Sequence, residues 1–193
     1  MRVGIDVDDV LADFTKTLIR YYNNMYGTSL KINQFFSYRF WDIWGGTREE
    51  AIRIVQDFNN SLYFSQMQPI SGAIKSVKSL VINNELIVIT SREPKVVKET
   101  EEWIQRFFPN MFKGVYFTNN QYTGWGQIKK KSDVCLELSI DLIIEDSLEY
   151  SMECAENGIR ALLFDRPWNK TENLPENVTR VYSWQEILKT VYL

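Results

Sequence analysis

The 193-residue sequence contains no histidine, and this absence excludes several classes of enzyme. Without histidine the chain can form neither a Ser-His-Asp or Cys-His catalytic site nor a zinc site with histidine ligands. Acid–base chemistry must therefore come from carboxylate, lysine or tyrosine side chains. Cysteine is scarce as well. Cys135 and Cys154 are too few for a disulfide framework, which indicates a reducing, cytoplasmic environment, and both are expected in helix cores.

An excess of positive charge and long apolar runs are also missing. The net charge is −3, which gives no general attraction for a nucleic-acid polymer or an anionic membrane. No apolar run is long enough to span a bilayer, and the acidic residues at 6–9 interrupt the apolar start, so no signal peptide is expected. With 45% apolar and 24% charged residues, the composition is typical of a globular protein with one core. Nothing in it separates a monomer from a homodimer.

The first fourteen residues are the most informative segment. An apolar run leads into Asp6, and Asp8 is the next position on the same side of a strand, since side chains alternate with a period of two. Two carboxylates at the end of a buried strand are costly unless a cation or a proton accompanies them. The pair therefore predicts a metal site or an acid–base pair. The alternative is an acidic, turn-forming cluster that follows a strand.

Strand and helix patterns alternate along the chain and predict an α/β fold. A Rossmann-like, mostly parallel sheet with helices on both faces follows from this alternation. Residues 15–70 break the rhythm and are interpreted as a small helical cap inserted after the first strand and helix, which leaves 1–14 and 71–193 as the core. The predicted strands are 1–7, 86–89, 115–117, 141–144, 159–164 and 180–182. The predicted helices are 11–26, 47–60, one capped by Ser71, 94–108, 131–139, 147–158 and one opened by Ser183.

In such sheets ligands bind beyond the carboxyl ends of the strands, and the residues found there suit phosphate chemistry. Glu145 and Asp146 would join Asp6 and Asp8 in an all-oxygen site of the kind Mg²⁺ prefers, although acidic residues also favour helix starts for electrostatic reasons. With Mg²⁺ and a lysine screening a phosphate, one carboxylate can form an aspartyl-phosphate. The second can protonate the leaving oxygen and then activate water.

Thr90 follows the second predicted strand, and its hydroxyl, with that of Ser91, would bind an anion near a helix start or simply cap the helix. Local positive charge comes from Lys129, Lys130 and Lys131, a run that would otherwise be a solvated surface segment.

Aromatic residues are concentrated between positions 35 and 44. They predict a small cap core, from which Phe40, Trp41 and Trp44 would contact the substrate. Trp168, in a later Pro/Asn-rich loop, is expected to pack that loop.

These motifs occur in the order that is typical of the haloacid dehalogenase superfamily of phosphohydrolases, which the chain resembles. Its pattern is DxDx[TV] after the first strand, Thr/Ser after the second, a lysine at a helix start and an acidic pair after the fourth. Closer still, Val10–Phe14, Ile89–Arg92, Ile144–Ser147 and Phe164–Asn169 resemble the 5′(3′)-deoxyribonucleotidase-like branch. Position 9, often glycine in such motifs, is aspartate here.

The resemblance implies a role for each matching residue. Asp6 would be the nucleophile and a Mg²⁺ ligand, and Asp8 the general acid and base that also binds the metal through its backbone carbonyl. Thr90 would hydrogen-bond the transferring phosphoryl group, and Lys131 would neutralise it, with the adjacent lysines as rivals. Asp146 would complete the metal site, with Glu145 nearby or linked through water. Ser91, Arg92 and Lys129 are the further candidates for phosphate binding.

The resemblance implies a Mg²⁺-dependent phosphomonoesterase that acts on a small phosphorylated molecule, most simply a nucleoside or deoxynucleoside monophosphate. Three alternatives remain open: a phosphatase of the same superfamily for another metabolite, a receiver-like phospho-accepting module, and a non-catalytic nucleotide-binding protein.

Overall fold

A six-stranded parallel sheet forms the centre of the computed structural model, which describes residues 1–118 and 129–192. The strand order is β3-β2-β1-β4-β5-β6, which confirms the predicted parallel α/β fold. Because β2 and β4 flank β1 on either side, the chain reverses its direction of travel across the sheet at β1, where ligands bind in folds of this class. The strands are β1 (Arg2–Ile5), β2 (Glu85–Thr90), β3 (Val115–Phe117), β4 (Leu142–Glu145), β5 (Arg160–Phe164) and β6 (Val178–Val181).

Helices cover both faces of the sheet, as predicted. The buried side chains of α5, α6 and α9 pack with one set of alternating strand residues, and those of α7 and α8 pack with the other. Cys135 and Cys154 are buried in the second of these clusters. The helices of the described residues are α1 (Phe14–Tyr26), α2 (Trp41–Trp44), α3 (Arg48–Asn59), α4 (Leu62–Ser65), α5 (Ala73–Leu80), α6 (Val97–Phe107), α7 (Lys131–Glu137), α8 (Leu148–Glu156) and α9 (Trp184–Val191), none of which is apolar and long enough to cross a membrane.

Several predicted helix ends are confirmed in detail. Thr47 and Glu50 form the reciprocal bonds of a capping box at the start of α3, and Gly27 ends α1 with a left-handed φ of 64°. Ser183 caps α9, but Glu186 accepts from Tyr182 N–H rather than closing the box. The prediction that Ser71 caps α5 is wrong, because Gly72 is the N-cap.

The first predicted helix starts later than expected because its opening residues pair with another segment. The backbone N–H of Asp13 donates to Gln68 O at 3.0 Å, and that of Ile70 donates to Leu11 O at 2.8 Å. The stretch 11–13, which leads from the sheet into α1, thus runs beside the stretch 68–70, which leads back to it. This pairing closes the insertion between β1 and α5 at its base.

Aromatic contacts hold together the inserted helices α1 to α4, which form the helical layer. Phe58 of α3 lies edge-on to Phe14 and Phe64 and tilted against Tyr21, with ring centroids 5.4 to 5.7 Å apart. α1 therefore packs within this helical layer. The buried residues of this layer belong to the same hydrophobic cluster as those of α5, α6 and α9. The layer therefore packs against the rest of the molecule and does not have a separate core.

Candidate active site

The carboxylate of Asp6 lies directly beyond β1 and pairs with Lys131, the first residue of α7. Lys131 Nζ donates to Asp6 Oδ1 at 2.9 Å, and the backbone N–H of Asp6 donates to Ile144 O at 3.0 Å. The Lys131 side chain is 1% exposed, also donates to Glu145 Oε1, and lies 4.7 Å from the centre of the Tyr150 ring. Of the three adjacent lysines, Lys131 is the one that reaches the strand ends.

Glu145 is the last residue of β4, the strand that pairs with β1, and Asp146 follows it. Glu145 is fully buried, and its Oε2 accepts the backbone N–H groups of Asp146 at 2.6 Å and Ser147 at 3.0 Å. Asp146 Oδ2 accepts from the Trp168 indole N–H at 2.9 Å and from the Tyr38 hydroxyl. Both carboxylates are therefore held in fixed orientations.

The charges of this cluster are not balanced. Burial, together with the negative charge of Glu145, raises the pKa of Asp6 to about 7 although Lys131 acts in the opposite direction. Burial and then Glu145 also raise the pKa of Asp146 well above its ordinary value. Burial alone would lower the pKa of Lys131, but Asp6 and Glu145 outweigh it and raise that pKa well above the usual range. The cluster thus favours the uptake of a proton or a cation.

The residues present fit a metal ion. Asp6, Glu145 and Asp146 each offer a carboxylate oxygen, and these atoms lie within 4.8 Å of one another. Of these three buried carboxylates, Asp6 and Glu145 pair with the same Lys131, so a divalent cation would offset the remaining negative charge. All-oxygen donor sets of this kind suit hard cations. The buried acidic group can therefore bind a metal.

Asp8 is held by Arg92 rather than by the lysine. Arg92 Nη2 donates to Asp8 Oδ1 at 2.6 Å, and Arg92 Nε lies 3.1 Å from both oxygens of the carboxylate. The turn that follows depends on Asp9, whose φ of 56° is left-handed and whose carboxylate accepts the Thr15 N–H at 3.1 Å. The positive φ gives a physical reason for the glycine that is common at this position.

A cavity of about 150 Å³ opens over the strand ends. Thr90 and Ser91 lie at its edge, with Thr90 almost fully buried and the Ser91 hydroxyl 2.8 Å from that of Thr118. The sheet contributes mainly polar walls and the helical layer mainly apolar ones. The sheet side is lined by Asp6, Asp8, Asp9, Thr90, Ser91, Lys131, Glu145, Asp146, Ser147 and Tyr150, and the other side by Phe14, Tyr38, Phe40, Trp41, Ala51, Ile52 and Val55.

Three of the residues predicted to bind substrate do not line this cavity. Arg92 turns towards Asp8, as described. Lys129 is exposed and pairs with Glu137, at 2.6 and 2.7 Å from its two oxygens. Trp44 turns into the helical layer and stacks on Tyr22, with centroids 4.5 Å apart and planes 8° from parallel.

Tyr38 and Trp168, which both contact Asp146, are two site residues that sequence reasoning missed. Tyr38 belongs to the aromatic segment of the cap, but its spacing gives no sign that its hydroxyl reaches Asp146. Trp168, expected to pack its loop, has its ring 5.4 Å from that of Tyr38, and its indole N–H donates to Asp146. The sequence shows only that Trp168 follows β5. Its proximity to Asp146 becomes apparent once β5 is known to lie next to β4 in the sheet.

The sequence and the fold both have known relatives. The model of the family described as 5′ nucleotidase, deoxy (pyrimidine), cytosolic type C matches residues 1–192. A 5′(3′)-deoxyribonucleotidase of Bacillus subtilis is 27% identical over 96% of this chain and 95% of its own length. The mitochondrial 5′(3′)-deoxyribonucleotidase of Homo sapiens is 24% identical over 99% and 82%. A haloacid dehalogenase-like hydrolase of Streptococcus pneumoniae superposes with a TM-score of 0.71 at 14% identity, covering 98% of this chain and 97% of the other.

Proposed function

The chain belongs to the family of deoxy (pyrimidine) cytosolic type C 5′ nucleotidases, and from that membership we propose that it hydrolyses nucleoside monophosphates, deoxyribonucleotides among them. It is a phosphoric monoester hydrolase with a haloacid dehalogenase-like fold. The names of the Bacillus subtilis and human relatives support the deoxyribonucleotide substrate. The observation that carries the proposed mechanism is the buried contact of Asp6 with Lys131 at the floor of the cavity.

In the first step, an oxygen of the Asp6 carboxylate attacks phosphorus while the bond from phosphorus to the nucleoside oxygen breaks. The product is an aspartyl-phosphate at Asp6, and the Asp8 carboxyl group gives its proton to the leaving oxygen. Lys131 offsets the negative charge of the phosphate and the nucleophile. Thr90 and Ser91 line the cavity, and their hydroxyls would donate to the phosphoryl oxygens.

In the second step, Asp8 takes a proton from a water molecule as the water oxygen attacks phosphorus. The bond from phosphorus to Asp6 breaks, phosphate leaves, and the Asp6 carboxylate is restored. Asp6 and Asp146, the backbone carbonyl of Asp8 and the nearby Glu145 would hold Mg²⁺. When bound, the ion supplies positive charge that offsets the charge on the phosphate oxygens.

Residues 15–70 act as the cap over this site, with 1–14 and 71–193 as the core. Phe40 and Trp41 line the apolar side of the cavity, where a base can stack on their rings. The phosphate would then lie on the polar sheet side. We place the enzyme in the cytoplasm, acting as a monomer or a homodimer on free nucleotides rather than on a nucleic-acid polymer.

The test is phosphate release from a panel of nucleoside monophosphates and sugar phosphates, with Mg²⁺ and with EDTA. Turnover is expected with Mg²⁺ only and to be fastest with nucleotides. An Asp6→Asn variant should lose activity by at least about a thousand-fold, as expected when a nucleophile is removed. The matched control is Asp133→Asn, which changes an exposed acid on α7 and should leave activity unchanged.

Full activity of the Asp6→Asn variant would refute the proposed mechanism. Tight nucleotide binding without turnover over the whole panel would favour the binding-only alternative. Accumulation of a stable aspartyl-phosphate without phosphate release would favour the receiver-like one.

A further inference from the structure

Arg92 is fixed on every side by groups that belong to the protein. Its Nε and Nη2 contact the Asp8 carboxylate, and its Nη1 donates to Thr100 Oγ1 at 3.1 Å. Thr100 in turn donates to Val96 O at 2.6 Å, which fixes the acceptor. The guanidinium carbon lies 5.0 Å from the centre of the Phe64 ring, and the side chain is only 3% exposed. All three nitrogen atoms are therefore engaged, and none faces the cavity.

Unlike Arg92, Asp8 is accessible from the cavity. Its side chain is 28% exposed and lines the cavity, so the carboxyl group can reach a substrate while Arg92 holds it from behind. A carboxylate with a free torsion at its end would sample many orientations. The planar guanidinium, which contacts both oxygens, restricts it to one.

From this geometry we propose that Arg92 is a positioning residue that aims the Asp8 carboxyl group at the leaving-group oxygen. The inference rests on the proposed function, in which Asp8 transfers that proton. Proton transfer needs the donor within hydrogen-bond distance of the reacting oxygen, and small displacements are costly in rate. Arg92 thus acts through Asp8 and does not itself touch the phosphate.

A positioning role and a merely structural one differ in their dependence on the leaving group. A nucleoside alkoxide needs a proton to depart, whereas p-nitrophenolate departs without one. We would measure leaving-group release in a single turnover, with enzyme in excess of substrate, for a deoxynucleoside monophosphate and for p-nitrophenyl phosphate. This design isolates the first step and excludes the later hydrolysis of the aspartyl-phosphate.

The Arg92→Met variant should slow release of the nucleoside by about a hundred-fold, the size expected for a misplaced catalytic group, and change release of p-nitrophenolate by only a few-fold. Asp8→Asn should show the same selectivity. Because Arg92 acts through Asp8, the double variant should be no slower than Asp8→Asn alone. Arg106→Met is the matched control: this arginine on α6 lies beside the Phe107 ring, with 5.0 Å from its guanidinium carbon to the ring centre, and neither substrate should be affected.

Two milder variants keep the test decisive if Arg92→Met does not fold. Arg92→Lys keeps the positive charge but loses the two-oxygen contact. Thr100→Val leaves Arg92 in place and removes the anchor of Nη1, together with the bond from Thr100 to Val96 O. Both should give smaller losses with the same selectivity for the nucleotide.

Equal slowing of both substrates in these Arg92 and Thr100 variants, or multiplied losses in the double variant, would overturn the inference. If Asp8→Asn is selective and the Arg92 variants are not, the inference fails while the proposed function stands. If Asp8→Asn itself slows both substrates equally, the proposed role of Asp8 fails, and the inference fails with it.

Discussion

Lys131 contacts both Asp6 and Glu145, so a change at this single residue directly alters the charge of the site. We predict that Lys131→Met lowers activity by about 100- to 1,000-fold, as when a charge-stabilising group is removed from an active site. It should also destabilise the fold by about 3–5 kcal/mol, because two buried carboxylates lose their partner. Phosphate release and urea unfolding would measure the two effects.

Lys130→Met is the natural comparison, because Lys130 is adjacent in sequence and exposed. Its activity should stay within a few-fold of the parent protein. The assignment of Lys131 would be contradicted if Lys130→Met lost more activity than Lys131→Met.

Not every residue of the site is equally predictable. Asp6, Thr90 and Glu145 follow apolar strand patterns, and parallel strands end at one edge of a sheet, so their meeting can be deduced from sequence. Arg92 also follows a strand, but a long side chain can turn several ways. Its partner depends on Thr100 and other groups that no local pattern brings together.

At the level of elements, the short helix α2 separates two roles that look alike in sequence. Trp41 lines the cavity, whereas Trp44, almost one turn later, stacks on Tyr22 and packs against Phe35 and Phe40. The aromatic density of this segment predicts a small core with some rings on the substrate. Whether a given ring lines the cavity or packs in the helical layer depends on how α2 lies on α1 and α3. The amino-acid composition of the segment does not determine that orientation.

We predict that Trp41→Ala raises the KM for a deoxynucleoside monophosphate about ten-fold, since stacking of a base on an aromatic ring contributes about 1–3 kcal/mol. The KM for a sugar phosphate that lacks a base should hardly change. The comparison of the two substrates checks the role directly, and equal KM changes would argue against stacking.

Trp44→Ala should instead lower the free energy of unfolding by about 3 kcal/mol, at the lower end for loss of a packed tryptophan because the residue is half-buried. Trp44→Phe should cost much less, since it keeps an aromatic ring and removes an indole N–H that has no partner among the described residues. Urea unfolding of the two variants would check this. A larger effect of Trp44→Ala on KM than on stability would contradict the packing role.

At the scale of the whole molecule, tryptophans tie the insertion to the body at both of its ends. The Trp184 indole donates to Val10 O at 2.9 Å, and the Trp103 indole donates to Met67 O at 2.8 Å. Because α9 and α6 carry these indoles, the segments that lead to and from the helical layer are fixed by the same helices that cover the sheet. The layer and the sheet are therefore expected to unfold together, so the ionisation of the site is coupled to the stability of the entire chain.

This coupling predicts an unusual pH dependence for the metal-free protein. The pKa of Asp6 is raised to about 7 in the folded protein, from 3.8 for a free side chain, and burial raises that of Asp9 to about 7 as well. Between these pH values the folded state binds more protons than the unfolded state, so the free energy of unfolding falls as pH rises. In EDTA, the thermal midpoint should therefore decrease between about pH 5 and pH 8, by an amount equivalent to a few kcal/mol.

Mg²⁺ should reverse the trend, because it binds the deprotonated carboxylates and stabilises only the folded state. The gain in thermal midpoint on adding Mg²⁺ should thus be small near pH 5 and large near pH 8, and scanning calorimetry of both forms would measure it. The Asp6→Asn variant, which cannot ionise at this position, should show a flatter profile in EDTA and a smaller response to Mg²⁺. A metal-free midpoint that rises over this range would mean that Lys131 outweighs the burial of Asp6, and that the acidic cluster carries no excess charge for a cation to offset.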